Sequence, residues 1–169
     1  VQDLTLRSES RLNADLTLAE GTFSISSGLF RFSAHALVRD GHLRLTTRSA
    51  DAETRQDLSL AEAVYTPGSM LAALAAARPE AGQRLRFPIF DPSSLARDAV
   101  DIQVEGPDTI FVGGSSVNGL RVTLLFKGAR QTAWLDTAGR VLKEEGLLGF
   151  RQERLDAKTA GQPLPAAGS

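Results

Sequence analysis

The sequence predicts a mainly β protein, a large antiparallel sheet curled into a half-barrel or barrel-like form, with one short helix covering its concave face. Three observations predict this. Short segments alternate apolar and polar residues along most of the chain, the period of half-buried strands. Compact turn signals join them in place of long connections. One stretch, between Thr66 and Arg78, changes to helical spacing.

The elements follow in order. Leu4 and Leu6, then Leu16 and Leu18, then Phe23 and Ile25 alternate with polar neighbours. Phe30, Phe32, Ala34, Ala36 and Val38 form one face of a longer strand, with Arg31, Ser33 and His35 opposite. Asp40-Gly41 is a two-residue hairpin turn, because both residues tolerate positive φ. Leu43 and Leu45 continue on the partner strand, and a further strand covers roughly residues 53–60. Thr66 is placed to cap a helix whose first residue is Pro67, where no amide hydrogen is needed. Met70, Leu71 and Leu74 recur at helical spacing among alanines, and Pro79 ends the helix. Beyond it, the two prolines of Phe87-Pro88-Ile89-Phe90-Asp91-Pro92 predict an edge strand or a rigid corner. Asp91 is expected to cap a turn around Ser93-Ser94. Val100, Ile102 and Val104 alternate, Gly106-Pro107 reads as a turn, and Ile110 and Val112 alternate again. Gly113-Gly114 and Asn118-Gly119 punctuate the approach to Leu120, Val122, Leu124 and Phe126. Asp136-Thr137-Ala138-Gly139 is a turn between two final strands. The count is about ten to twelve strands and one helix, by the spacing of these signals.

With 169 residues, 42% of them hydrophobic and 23% charged, the chain fits one domain over residues 1–160. A Pro/Ala/Gly tail or linker follows over 161–169. No apolar run reaches the length of a membrane-spanning helix. A net charge of -1 and a pI near 6.2 argue against nucleic acid as a partner. The positive charge is nearly all arginine, with Lys127, Lys143 and Lys158 the exceptions. The start at Val1 reads as a mature secreted fragment or an excised domain.

Chemical constellations are scarce. Zero cysteines exclude disulfides, thiolate metal sites and a cysteine nucleophile. No phosphate loop, dinucleotide fingerprint or serine elbow is present. His35 lies on a polar strand face and His42 just after a hairpin turn, both ordinary places for inert histidines. With Asp40 they would hold a metal only weakly, so no metal site and no cofactor are expected. Glu144 and Glu145 point to opposite faces of a strand and cannot act as an acid/base couple, and one of them is expected to pair with Arg151 or Arg154. No catalytic residue is predicted. Trp134, the single tryptophan, is expected to anchor the sheet or line a pocket. The aliphatic positions outnumber what one short helix covers, which predicts an apolar ligand-binding face built from Met70, Leu71, Leu74, Val122, Leu124, Phe126 and Trp134.

Three patches carry a resemblance. The stretch Thr132-Ala-Trp-Leu-Asp-Thr-Ala-Gly-Arg-Val-Leu-Lys-Glu-Glu-Gly-Leu-Leu-Gly-Phe150 resembles the end of the β-rich region that precedes the catalytic core in bacterial secreted transglutaminase-like proteins. Phe87-Pro-Ile-Phe-Asp-Pro-Ser-Ser-Leu95 is similar to that region's corner motif, and Val112-Gly-Gly-Ser-Ser-Val117 to its glycine hairpin. Gly146-Leu147 stands where that family has a Ser-Pro step. More distantly, the strand rhythm resembles the half-barrel of periplasmic lipoprotein carriers. The resemblance implies a noncatalytic module of the cell envelope, periplasmic or otherwise secreted. Its expected partner is a neighbouring catalytic domain or a peptide. The alternative is a carrier of lipid or acyl chains in an apolar cavity.

Overall fold

The computed structural model describes residues 4–28, 30–91, 94–145 and 151–153, the last three by their backbone. Five strands come first: β1 (Thr5–Leu12), β2 (Leu18–Ser27), β3 (Phe30–Arg39), β4 (His42–Ser49) and β5 (Ala52–Ser59). The helix α1 (Pro67–Ala76) follows. Six more strands complete the order: β6 (Arg84–Asp91), β7 (Ala96–Val112), β8 (Ser115–Phe126), β9 (Ala129–Leu135), β10 (Val141–Glu145) and β11 (Arg151–Glu153). The protein is mainly β and antiparallel, with one short helix. The tail 161–169, the Gly146-Leu147 step and Arg154 lie outside the described residues.

The strands form two sheets, a division that the alternation pattern alone does not reveal. The first has the order β1-β2-β3-β4-β5 and the second β11-β10-β9-β8-β7-β6, so each is a meander in chain order. Each has its own core. Leu18, Ala34, Ala36, Leu43 and Leu45 from the first sheet pack with Val64 and Phe90. Met70 and Leu74 of α1 pack on Phe87, Ile89, Val100, Ile102, Val104, Val122 and Leu135 of the second. Burying each Leu or Ile side chain contributes about 1.5–3 kcal/mol.

The segment Val64-Tyr65 joins the sheets through its backbone. The Val64 carbonyl accepts the amide of Leu18 at 2.7 Å, from β2. Tyr65 donates to the Pro88 carbonyl at 2.9 Å and accepts from the Phe90 amide at 2.8 Å, forming a parallel bridge to the outer edge of β6. Pro88 therefore directs its missing donor toward an edge, as the two prolines predict.

The helix starts as its sequence dictates. Thr66 accepts the Ser69 amide on its hydroxyl at 3.1 Å, and Ser69 Oγ accepts the Thr66 amide at 3.0 Å, a reciprocal cap ahead of Pro67. At the other end of the second sheet, Gly139 closes the Asp136–Gly139 turn at φ 78° and lies directly against the helix backbone. A Cβ there would stand 2.6 Å from Ala72 Cα and 2.7 Å from its nitrogen, and would also strike the Leu71 carbonyl.

Three expectations are corrected. Leu16 is not in a strand; it lies in the β1–β2 connection at φ 69°, where Thr17 donates its amide and hydroxyl to Asp15. Gly106-Pro107 is not a turn. β7 runs through it with a bulge between Val104 and Gly106, where Gly106 takes φ 122°. Proline is tolerated there because β6 pairs with β7 only as far as Gln103 and the segment before β6 bonds β7 last at Val104, so Pro107 pairs with β8 alone. Asn118-Gly119 is also not a turn: both residues lie within β8, and Gly113-Gly114 alone makes the hairpin, at φ 57° and 85°.

Candidate functional site

The face of the first sheet opposite its core is polar across all five strands. The pairing register sets its rows. One row runs Arg7, Ser24, Ser33, Arg48, Glu53; the next runs Glu9, Thr22, His35, Thr46, Arg55. Small hydroxyl residues occupy the middle strands and long charged ones the flanks, so the centre is lower than the sides. The result is an open cleft of about 880 Å³. Its walls include Arg7, Arg44, Arg48 and Arg55 against the two carboxylates of Glu9 and Asp57.

Ion pairs set the posture of these side chains. Arg7 meets Glu9 at 2.9 Å, Arg44 meets Asp57 at 2.9 Å, and Glu53 is shared by Arg48 at 2.6 Å and Arg55 at 2.8 Å. The guanidinium of Arg48, then that of Arg55, holds the Glu53 carboxyl below its ordinary range. Next to the cleft, His35 Nε2 and Glu20 Oε1 stand 2.7 Å apart, and Arg11 reaches the other Glu20 oxygen at 3.0 Å. The His35 hydrogen bond, followed by Arg11, lowers the Glu20 pKa. All these pairs are at least partly exposed, so each contributes little to stability. What they fix is the position of donor groups around a hydroxyl-lined floor.

His35 thus has a carboxylate partner, while His42 pairs with Arg39 four residues further along the same hairpin. That separation is about 13 Å along a strand, too far for one metal ion. Among the described residues no group of three or more His, Asp or Glu side chains gathers in a metal-binding arrangement. Ser94 donates to Asp91 at 3.0 Å, as expected of a residue capping that corner.

The seven residues predicted to line an apolar face lie on the second sheet and its helix. Met70, Leu74, Val122 and Leu124 share one buried cluster, with Leu71 and Phe126 packed against it. Their side chains fill the space between helix and sheet, and the surplus strand positions Val100, Ile102 and Val104 are buried with them. Trp134 projects from the other face of that sheet. It is 5% exposed, lies between the cations of Arg121 at 5.6 Å and Lys143 at 4.8 Å, and donates Nε1–H to Asp108.

The polar cleft was the part of the surface that sequence reading missed. Its signal was present in Arg31, Ser33 and His35, which alternate with Phe32, Ala34 and Ala36, but the cross-strand registry that assembles a face is not written in any one segment. A second, smaller cleft of about 270 Å³ opens on the core side of β1 and β2, lined by Leu18, Phe23, Pro67 and Phe90. Beyond it the same face continues through Leu6, Ile25 and Phe32, and Leu4, Leu6 and Phe30 are 52–61% exposed.

No protein-family model matches the chain, and no curated protein matches its sequence. Among solved structures, a beta-barrel-like protein of a domain of unknown function, DUF1849, from Brucella abortus superposes with a TM-score of 0.60 at 13% identity. The match covers 85% of this chain and 66% of that one, so the chain spans a little under two thirds of its neighbour's length. The likeness speaks to the fold: a β architecture of barrel-like type.

Proposed function

We propose that this chain is a noncatalytic binding module of the cell envelope that holds an extended, carboxylate-bearing peptide segment on the polar face of its first sheet. The observation that carries the reading is the 880 Å³ cleft with four arginines over a floor of serine and threonine hydroxyls. Arginine forks donate to carboxylates in a bidentate fashion, and hydroxyls satisfy peptide groups without a fixed donor or acceptor role. The imidazole in the cleft is that of His35, bonded to Glu20, and among the described residues no side chain other than Glu20 hydrogen-bonds its ring. The resemblance to the region preceding transglutaminase-like cores supports an adjacent catalytic domain as the source of the segment.

Titration with an oligoglutamate peptide, followed by calorimetry at two salt concentrations, tests this. Binding that weakens with salt and drops about tenfold or more in Arg48→Ala supports it. Binding that is absent, or equal in wild type and Arg7→Ala/Arg48→Ala, refutes it. A generic ester turned over at a rate that His35→Ala abolishes would refute the noncatalytic half.

A second reading, carriage of an acyl chain, is supported by one observation. The apolar cleft at Phe23 and Phe90 continues into the exposed strip of Leu6, Leu4 and Phe30. On this reading the chain lies on the first sheet, not between helix and second sheet. A fatty acid that raises the melting temperature, with the effect lost in Phe30→Ser, would favour it over the peptide.

A further inference from the structure

We infer that β1 is a self-pairing edge, through which two copies of this chain join antiparallel, with Ser8 on the two-fold axis. The inference is independent of what the polar cleft binds. β1 ends the first sheet, and among the described residues no strand pairs with its outer side. A free edge presents a row of unpaired backbone donors and acceptors, which proteins usually block with proline, lysine, a bulge or a covering segment. β6 shows such blocking: Pro88 sits on its edge and Tyr65 covers it. Among the described residues none of these protects β1 between Thr5 and Arg11; its irregularity comes only at Leu12.

Its sequence, Thr5-Leu-Arg-Ser-Glu-Ser-Arg-Leu12, selects the register. Polar-face residues are odd-numbered and core-side residues even-numbered, so only registers that keep odd opposite odd preserve both faces. With Ser8 opposite the partner copy's Ser8, Arg7 faces Glu9 in both directions and the whole run from Thr5 to Arg11 is paired. Leu4, 60% exposed in the single chain, meets Leu12. Centring on Glu9 puts Glu9 against Glu9 and Arg7 against Arg11; centring on Arg7 puts Arg7 against itself. Opposite charges directly across a pair stabilise it and like charges oppose it. Centring on Ser10 also matches Glu9 with Arg11 but pairs only residues 8–12. The long overlap and the charge match coincide at Ser8. The other edge, β5, has an Arg55–Asp57 match about Gln56, but it exposes no large apolar side chain, and Arg97 already donates to the carbonyl of its last residue, Ser59. The two-fold axis stands perpendicular to the sheet, so the two polar faces become one continuous ten-stranded surface. Arg7 and Glu9 line the cleft in each copy, so the pairing brings the two clefts side by side.

Sedimentation of the 169-residue chain over a wide concentration range should give a reversible monomer–dimer equilibrium that stops at the dimer. Glu9→Arg should weaken it by about tenfold or more, and the double exchange Arg7→Glu/Glu9→Arg should restore it to within about threefold. Because the chain has no cysteine, single cysteine variants report the register. Under mild oxidation Ser8→Cys should cross-link. Ser10→Cys should not, since the two copies of that position lie about 14 Å apart along the strands, beyond a disulfide's reach. A monomer at every concentration, growth past the dimer, failure of the charge exchange to restore pairing, or cross-linking through Ser10→Cys or Gln56→Cys in place of Ser8→Cys would overturn the inference.

Discussion

Trp134 donates its indole Nε1–H to the Asp108 carboxylate at 2.7 Å, although the two residues stand on strands that are not neighbours in the sheet. Between β9 and β7 runs β8, and at the crossing β8 has Gly119, paired with Asp108. A Cβ on Gly119 would stand 3.2 Å from the Leu135 carbonyl, 3.2 Å from Leu142 Cδ1 and 3.5 Å from Trp134 Cβ. The glycine therefore serves the close approach of the Leu135 carbonyl and the Leu142 side chain, and not a chain reversal.

Truncation at this site should separate packing from hydrogen bonding. Trp134→Ala should cost about 3–5 kcal/mol in urea unfolding, since it removes a nearly buried aromatic. Asp108→Ala should destabilise more than Asp108→Asn, because the amide still offers the indole an acceptor.

The same pair predicts a pH response. The indole hydrogen bond above all, with smaller help from the Thr109 amide, Arg121 and Lys143, holds the Asp108 carboxyl below its ordinary pKa against the opposing effect of burial. A carboxyl depressed in the folded state contributes stability that is complete above its unfolded pKa and is lost as pH falls through the folded one. Asp15, Glu20, Glu53 and Asp136 are shifted the same way, so stability should decline on acidification below the ordinary carboxylate range. Fluorescence of the single tryptophan isolates one of them: its acid transition should lie below the usual aspartate value and vanish in Asp108→Ala.

Gly139→Ala should be among the most damaging single-methyl additions in the chain. It combines strain at φ 78° with a collision against the backbone of α1 at Ala72. Gly128→Ala is the control: φ 80°, with nothing within 4 Å of the added methyl. The control should cost about 1–2 kcal/mol from backbone strain alone, and Gly139→Ala about 3 kcal/mol or more. Equal losses would mean that the helix yields freely.

Leu43→Ala and Leu74→Ala remove fully buried side chains from different cores, and each should cost about 2–5 kcal/mol. Because Val64-Tyr65 bonds both sheets, each variant should shift one common unfolding transition, seen alike by circular dichroism and by Trp134 fluorescence. Thr66→Ala should cost about 1 kcal/mol by loss of the helix cap, and Thr66→Ser much less.

Local chemistry was legible in the sequence, and cross-strand assembly was not. Asp40-Gly41, Thr66-Pro67 and the Asp136–Gly139 turn each state their conformation within four residues, and each is found. Gly106-Pro107 and Asn118-Gly119 use the same residue types for other ends, a bulge and close packing against Leu135 and Leu142, and only the neighbouring strand tells these uses apart. The aliphatic residues of α1 and β8 pack in one apolar cluster from which Trp134 is absent, and the sequence does not show how completely the helix covers it. The polar cleft depends on five strands in register, a relationship spread over some fifty residues.

Phe90 belongs to β6, yet its side chain, 1% exposed, completes the core of the first sheet. Within each sheet every strand pairs with its neighbour in the chain, so hairpins can zip in sequence with little loop-closure entropy. A nascent chain that has released only its first five strands nonetheless lacks the ring that covers Leu18 and Leu43. Its apolar face stays wet until some thirty further residues have emerged, so the first half should not fold as an autonomous unit. During that interval the chain is most exposed to aggregation, and this is when a chaperone would find it.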